Sequence, residues 1–182
     1  CGFIDAARAE SYAALQELAT AKRPGQVLLA AGCLSQRAGQ GVRQTVPGVD
    51  GILGTREWAN IVPRVEQLLG LEPGATVRPR EAASVVSPMS RQAHGPSAYL
   101  KIADGCSAPC AFCAIPMIKG PQRSKPRHAI VDEARQLVAG GTQEIILIAQ
   151  DTTAYGHDLG DSDGLPALIE EILGAVPHLP WL

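Results

Sequence analysis

The strongest constraint on the fold is the segment Glu144-Ile145-Ile146-Leu147-Ile148-Ala149 and what stands in front of it. An apolar run of this length, without polar alternation, is the pattern of a strand buried on both faces, as in a parallel sheet covered by helices. It follows a helix-patterned stretch from about Arg127 to Ala139 and the turn pair Gly140-Gly141. Ahead of that helix lies another strand pattern, Tyr99-Leu100-Lys101-Ile102. Strand, helix and strand in this order predict a parallel pair, and a further helix pattern from Leu165 to Leu173 completes two βα units.

The amino-terminal part repeats the alternation. Asp5 is placed to cap a helix with an apolar face of Tyr12, Leu15, Leu18 and Ala19, which Pro24-Gly25 stops. Val27-Leu28-Leu29-Ala30-Ala31 reads as a short buried strand with Gly32-Cys33 just beyond its end. Gly51-Ile52-Leu53 is a second strand, leading through Thr55 into a helix marked by Trp58, Ile61, Val62, Val65, Leu68 and Leu69. Pro63 is tolerable only in the first turns of that helix, and Trp58 is assigned to the core. The fold class is therefore α/β with parallel sheets. From Gly70 to Ser97 the periodicity disappears and Pro73, Pro79, Pro88 and Pro96 arrive, so a linker is expected, with Val85-Val86 as an optional edge strand. The predicted limits are one domain over 1–75, a linker over 76–96 and a second domain over 97–182.

Composition removes several function classes. With 182 residues, 46% hydrophobic, 19% charged and a mean hydropathy of +0.04, the chain can bury a sizeable core. The longest uncharged apolar run, Val27 to Leu34, is far shorter than the ~20 residues that span a bilayer, so no membrane role is predicted. Sixteen basic against eighteen acidic residues give a net charge of −2, no overall excess with which to hold a phosphate backbone, and no nucleic-acid binding is evident. The chain opens on Cys1 without a leader and closes on Pro180-Trp181-Leu182, so a fragment lacking both ends is expected. Five cysteines are an odd number, and three of them cluster, which suits metal or redox chemistry in a reducing, cytoplasmic compartment.

That cluster is Cys106-Ser-Ala-Pro-Cys110-Ala-Phe-Cys113, three thiols in a loop just past a predicted strand. Thiolates are soft ligands suited to iron–sulfur clusters, and three from one loop would leave one iron of a four-iron cluster without a protein ligand. A structural zinc site is the second reading, although such sites close with four ligands and usually pair two short hooks. Unliganded thiols are the third. His94, His128, His157 and His178 share no ligand spacing and read as surface or packing residues.

The three-then-two spacing with Phe112 before the last cysteine resembles the signature loop of radical S-adenosylmethionine enzymes. Cys1-Gly-Phe-Ile-Asp5, Gly32-Cys33-Leu-Ser-Gln-Arg37, Tyr99-Leu-Lys-Ile-Ala-Asp-Gly-Cys106, Ala114-Ile-Pro-Met-Ile-Lys-Gly120 and Ile148-Ala-Gln-Asp-Thr-Thr-Ala-Tyr-Gly156 together resemble the methylthiotransferases of that superfamily. Among these they are most similar to the members that modify an aspartate of ribosomal protein S twelve. The transfer-RNA methylthiotransferases, which act on a modified adenosine, share the cysteine plan and form the alternative. A non-catalytic zinc-binding module is the alternative of another class.

The resemblance implies an amino-terminal parallel-sheet methylthiotransferase domain followed by the start of a radical S-adenosylmethionine partial (βα) barrel. It implies a 4Fe–4S cluster on Cys106, Cys110 and Cys113, whose open iron is chelated by S-adenosylmethionine. It also implies a second 4Fe–4S cluster with Cys1 and Cys33 among its ligands, incomplete here because a third cysteine would precede Cys1. Without the resemblance, Cys1 and Cys33 read as buried small apolar residues. Phe112, Gln150, Asp151, Arg123 and Ser124 match segments that bind the cofactor, with a loop-capping role as the alternative for Asp151 and a solvated loop position for Arg123. The implied enzyme transfers a methylthio group to the β-carbon of the aspartate, with ribosomal protein S twelve or the small ribosomal subunit and an electron donor such as flavodoxin or ferredoxin as partners.

Overall fold

A computed structural model describes residues 2–72 and 95–182. Cys1, His94, the Val85-Val86 option and all but the last two residues of the expected linker lie outside them. The chain forms two compact units, Cys1–Ala83 with Cys110–Lys119, and Ser84–Pro109 with Gly120–Leu182.

The first unit contains α1 (Asp5–Thr20), β1 (Leu29–Gly32), α2 (Cys33–Ala38), α3 (Gly41–Thr45), β2 (Gly51–Gly54), α4 (Ile61–Leu69) and α5 (Ile115–Lys119). β1 and β2 are parallel, with Leu29 opposite Gly51 and Gly32 opposite Gly54. Ala30, Leu34, Val42, Val46 and Val49 form the core, and Tyr12, Leu15 and Ala19 of α1 pack against it. A Cβ at Gly51 would lie 2.6 Å from Leu68 Cδ1 and 2.9 Å from Leu29 Cδ1, so the glycine is what lets these side chains reach the strand.

Several expectations for this unit are corrected. Asp5 is the first helical residue rather than the cap, and its carboxylate accepts from Arg8 instead. Leu18 is 56% exposed because at 100° per residue it falls well off the stripe of Tyr12, Leu15 and Ala19. Trp58 is 47% exposed, not core: it opens a 3-10 turn, Trp58–Asn60, ahead of α4, where the helical stripe has not begun. Pro63 sits in the first turn of α4, where its missing N–H removes no helical bond.

The second unit contains β3 (Ser97–Lys101), β4 (Ala103–Asp104), β5 (Arg123–Ser124), α6 (Arg127–Ala139), β6 (Glu144–Ile148) and α7 (Gly164–Ala175). β3 and β6 are parallel, with Ser97 opposite Glu144 and Lys101 opposite Ile148, while the short β4 and β5 pair antiparallel. After α7 the chain returns to β6, where Trp181 bridges Glu144 in parallel. Leu100, Ile102, Ile130, Ala134, Leu137, Ile145, Tyr155, Leu168 and Ile172 belong to one continuous core.

β6 is not buried on both faces as its composition predicts. Ile145 is buried, but Ile146 and Ile148 are each 37% exposed and Tyr99 on the paired strand 60%. Successive strand residues face opposite sides, and helix residues such as Ile130, Ala134, Leu168 and Ile172 cluster with Ile145. The residues that alternate with it lack such cover.

Candidate metal centre

The second unit fixes the approach to Cys106. Gly105 has φ +77°, and a Cβ there would lie 2.2 Å from the Pro121 carbonyl oxygen, so both backbone conformation and space require glycine. Its N–H donates to Gln150 Oε1 at 2.8 Å and to Asp104 Oδ1 at 3.1 Å. The N–H of Cys106 donates to the Gly120 carbonyl at 3.1 Å, and the Gln122 N–H donates to Ser107 Oγ at 3.0 Å. Cys106 is buried at the base of this clamp.

Cys110 and Cys113 belong to the first unit. The Cys113 N–H donates to the Cys110 carbonyl at 3.0 Å, closing a turn whose Phe112 side chain is 87% exposed. Cys110 is exposed and Cys113 half-buried. The Ile115 N–H donates to Cys113 Sγ at 3.4 Å, within the range for sulfur. Three carbonyls of α5 accept side-chain donors from the residues just past β2. Thr55 Oγ1 donates to Ile118 O at 3.1 Å, and Arg56 Nη2 to Pro116 O and Met117 O at 3.3 and 2.9 Å.

Cys33 is the first residue of α2, directly after β1, and is half-buried. A Cβ at Gly2 would lie 2.6 Å from the Cys33 carbonyl oxygen and 2.9 Å from Leu34 N, so the Gly2 backbone is seated on that peptide. Arg37 Nη1 donates to the carbonyls of Gly2 and Phe3 at 2.6 and 3.0 Å. Cys1 is Gly2's neighbour in the chain and lies outside the described residues.

Cys33, Cys106, Cys110 and Cys113 are all free thiols. Among the described residues no group of three or more His, Cys, Asp or Glu side chains is gathered closely enough to hold a metal ion. The donor set nevertheless fits an iron–sulfur cluster in kind, since three soft sulfur donors stand in one short loop with an exposed turn between two of them.

The other positions singled out in the sequence are engaged as follows. Asp151 Oδ1 accepts from Thr153 N, Thr153 Oγ1 and Ala154 N at 3.1, 2.7 and 3.3 Å, which is a loop cap. Ser124 is buried, its hydroxyl donates to Asp158 Oδ1 at 2.6 Å, and it accepts the Gly156 N–H at 3.0 Å. Arg123 is exposed on β5. Tyr155, which the sequence reading named only as part of the Ile148–Gly156 motif, is buried, donates its hydroxyl to the Lys125 carbonyl at 2.7 Å and has its pKa pushed up to about 12 by burial. Asp50 accepts the Leu28 N–H at 2.6 Å and Lys22 Nζ at 2.9 Å, and these bonds, the backbone one foremost, hold its carboxyl below the usual range. Arg56 escaped sequence reading, and Thr55 and Arg37 were named there without these contacts, since single polar residues after a strand or on a short helix carry no periodic signal.

No helix among the described residues is long and apolar enough to cross a membrane. Residues 1–54 match the model of a family described as "Uncharacterized protein family UPF0004". The whole chain is 42% identical to the ribosomal protein uS12 methylthiotransferase RimO of Roseiflexus castenholzii, covering 43% of that protein. It is 46% identical to the protein of the same name from Chloroflexus aurantiacus, again covering 43% of it, and 42% identical to that of Herpetosiphon aurantiacus, covering 45%. In each case all of this chain is matched, so it spans a little under half the length of these curated relatives. Along its full length the chain is thus similar to proteins that are named methylthiotransferases.

Proposed function

We propose that the protein acts as a radical S-adenosylmethionine methylthiotransferase that modifies the β-carbon of an aspartate in ribosomal protein uS12. The observation that carries this reading is the free-thiol loop Cys106–Cys113 beyond the end of a parallel strand pair, in a chain whose relatives bear that name. Cys106, Cys110 and Cys113 would hold a 4Fe–4S cluster and Cys33, with Cys1, would contribute to a second. When bound, a reduced cluster with S-adenosylmethionine supplies one-electron chemistry able to break an unactivated C–H bond, which no general base among these side chains could ionise at neutral pH.

The chain's own residues set the stage for that chemistry. Gln150 holds the Gly105 peptide and so aims the first cysteine, a positioning role within the cofactor site proposed for it. Phe112, at the exposed tip of the turn, offers an apolar face beside the last cysteine. Arg123 is open to contact the cofactor, whereas Asp151 and Ser124 would shape its loop through the bonds already described. The exposed face of Tyr99, Ile146 and Ile148, opposite the helix-covered side, supports the start of a βα barrel, which keeps its helices on one side of the sheet. The domain limits at 75 and 97, a cytoplasmic location and a flavodoxin or ferredoxin as reductant belong to the same proposal.

The test is anaerobic purification and reconstitution, with iron and sulfide analysis, followed by mass spectrometry of uS12 incubated with S-adenosylmethionine and reductant. A methylthio mass increase on one aspartate is expected from a protein of the relatives' full length. Iron without sulfide, zinc instead of iron, or an unmodified uS12 alongside a modified transfer RNA would overturn the reading.

A further inference from the structure

α5 is a single turn of helix, Ile115–Lys119, and a turn this short does not persist in water on its own hydrogen bonds. Its last carbonyls have no partner within the helix and must find donors elsewhere. Three successive ones, of Pro116, Met117 and Ile118, find them in the side chains of two successive residues, Thr55 and Arg56. These donors stand just beyond β2, some sixty residues earlier in the chain, and all of these groups lie in the first compact unit. At its other end the same turn presents the Ile115 N–H to Cys113 Sγ.

We infer that Thr55 and Arg56 are positioning residues for Cys113: by satisfying the carbonyl end of α5 they hold the turn whose leading N–H orients the Cys113 sulfur. A guanidinium reaches two carbonyls through one planar nitrogen while the adjacent hydroxyl takes the third, so the latch fixes both the distance and the rotation of α5. The Arg56 N–H in turn donates to Gln36 Oε1 at 3.3 Å, and a Cβ at Gly54 would lie 2.2 Å from that oxygen. The latch is thereby anchored to α2, the helix that Cys33 opens. The inference rests on the proposed function only in taking Cys113 as an iron ligand; the geometry itself is testable without metal.

The experiment uses the reduced, metal-free protein and peptide-resolved alkylation by iodoacetamide, with Cys106, which lies in the other compact unit, as the internal reference. Arg56→Ala is expected to raise the Cys113 rate relative to Cys106 by roughly 5- to 10-fold, as local opening of a single turn would. Thr55→Val is expected to move it in the same direction by less, and Arg56→Lys to restore most of the protection. The same order is expected in iron retained after reconstitution. Equal Cys113 rates in wild type and Arg56→Ala overturn the inference, and so does a parallel rise at Cys106, which would mark general loosening. If Arg56→Ala does not fold, the Thr55→Val and Arg56→Lys rates decide. Failure of the proposed function shows separately, as wild-type protein that takes up no iron and sulfide.

Discussion

The two parallel strand pairs do the same architectural task with groups of opposite acid–base character. β1 and β2 are four residues each, built largely from Gly, Ala and Leu, and their junction is pinned by an ionised carboxylate, Asp50, between the Leu28 N–H and Lys22. β3 and β6 are five residues each, and the loop after β6 is pinned by a neutral phenol, Tyr155, buried in the larger core. A small core leaves its polar staple half in water, where it stays charged. A large core buries its staple and keeps it protonated. Both pairs deliver a cysteine beyond the end of the first strand, Cys33 directly and Cys106 through β4 and a clamped glycine.

The largest effect that would break this parallel, on the proposed function, is a division of iron between two sites. In a protein of the relatives' full length, Cys106→Ala is expected to abolish the proposed loop cluster and the deoxyadenosine formed from S-adenosylmethionine, whereas Cys33→Ala should retain both while stopping methylthio transfer. Equal iron loss in the two variants would show a single shared site.

Next in size is Gly105→Ala. The new Cβ must displace the Pro121 carbonyl from 2.2 Å and accept a φ of +77°. A loss of about 3 kcal/mol or more is expected from denaturant melts. A loss below about 1 kcal/mol would mean that the backbone relaxes there at little cost.

Smaller and opposite in sign are the two pH responses. The folded pKa of Asp50 lies below its unfolded value, so its contribution is complete above about pH 4 and is lost as pH falls through the folded pKa. That of Tyr155 is raised from 10.0 to about 12, so its contribution is complete below pH 10 and is lost as pH rises toward 12. Hydrogen exchange resolved by peptide should therefore show β1 and β2 loosening first in acid and β3 and β6 first in alkali. Asp50→Asn and Tyr155→Phe are each expected to cost about 1 kcal/mol at neutral pH and to flatten only the acid or only the alkaline limb. Identical limbs in both variants would sink the comparison.

Much of the scaffold was legible because its signals are local. The helical stripe from Arg127 to Ala139 and the Gly140-Gly141 stop correspond to α6, and Gly51 to Leu53 correspond to β2 with one residue added. The three-thiol loop was visible from spacing and the chemistry of sulfur, which left iron–sulfur, zinc and unliganded readings open. Leu18 and Trp58 were misassigned because hydrophobic character reports what a residue can bury, not which side of its own helix or turn faces the core.

The alternation of the longer helices with the two parallel strand pairs and the position of the three-thiol loop were thus determined by sequence alone, whereas the short elements α2, α3, β4, α5 and β5 were not, since periodicity and side-chain chemistry are carried by neighbours along the chain. Tertiary structure alone decided that α5 belongs with the first unit, that Thr55 and Arg56 hold it, and that Ile146 and Ile148 remain on an open face. A donor and an acceptor sixty residues apart leave no periodic trace, and cover on the second face of a strand depends on where distant helices come to rest.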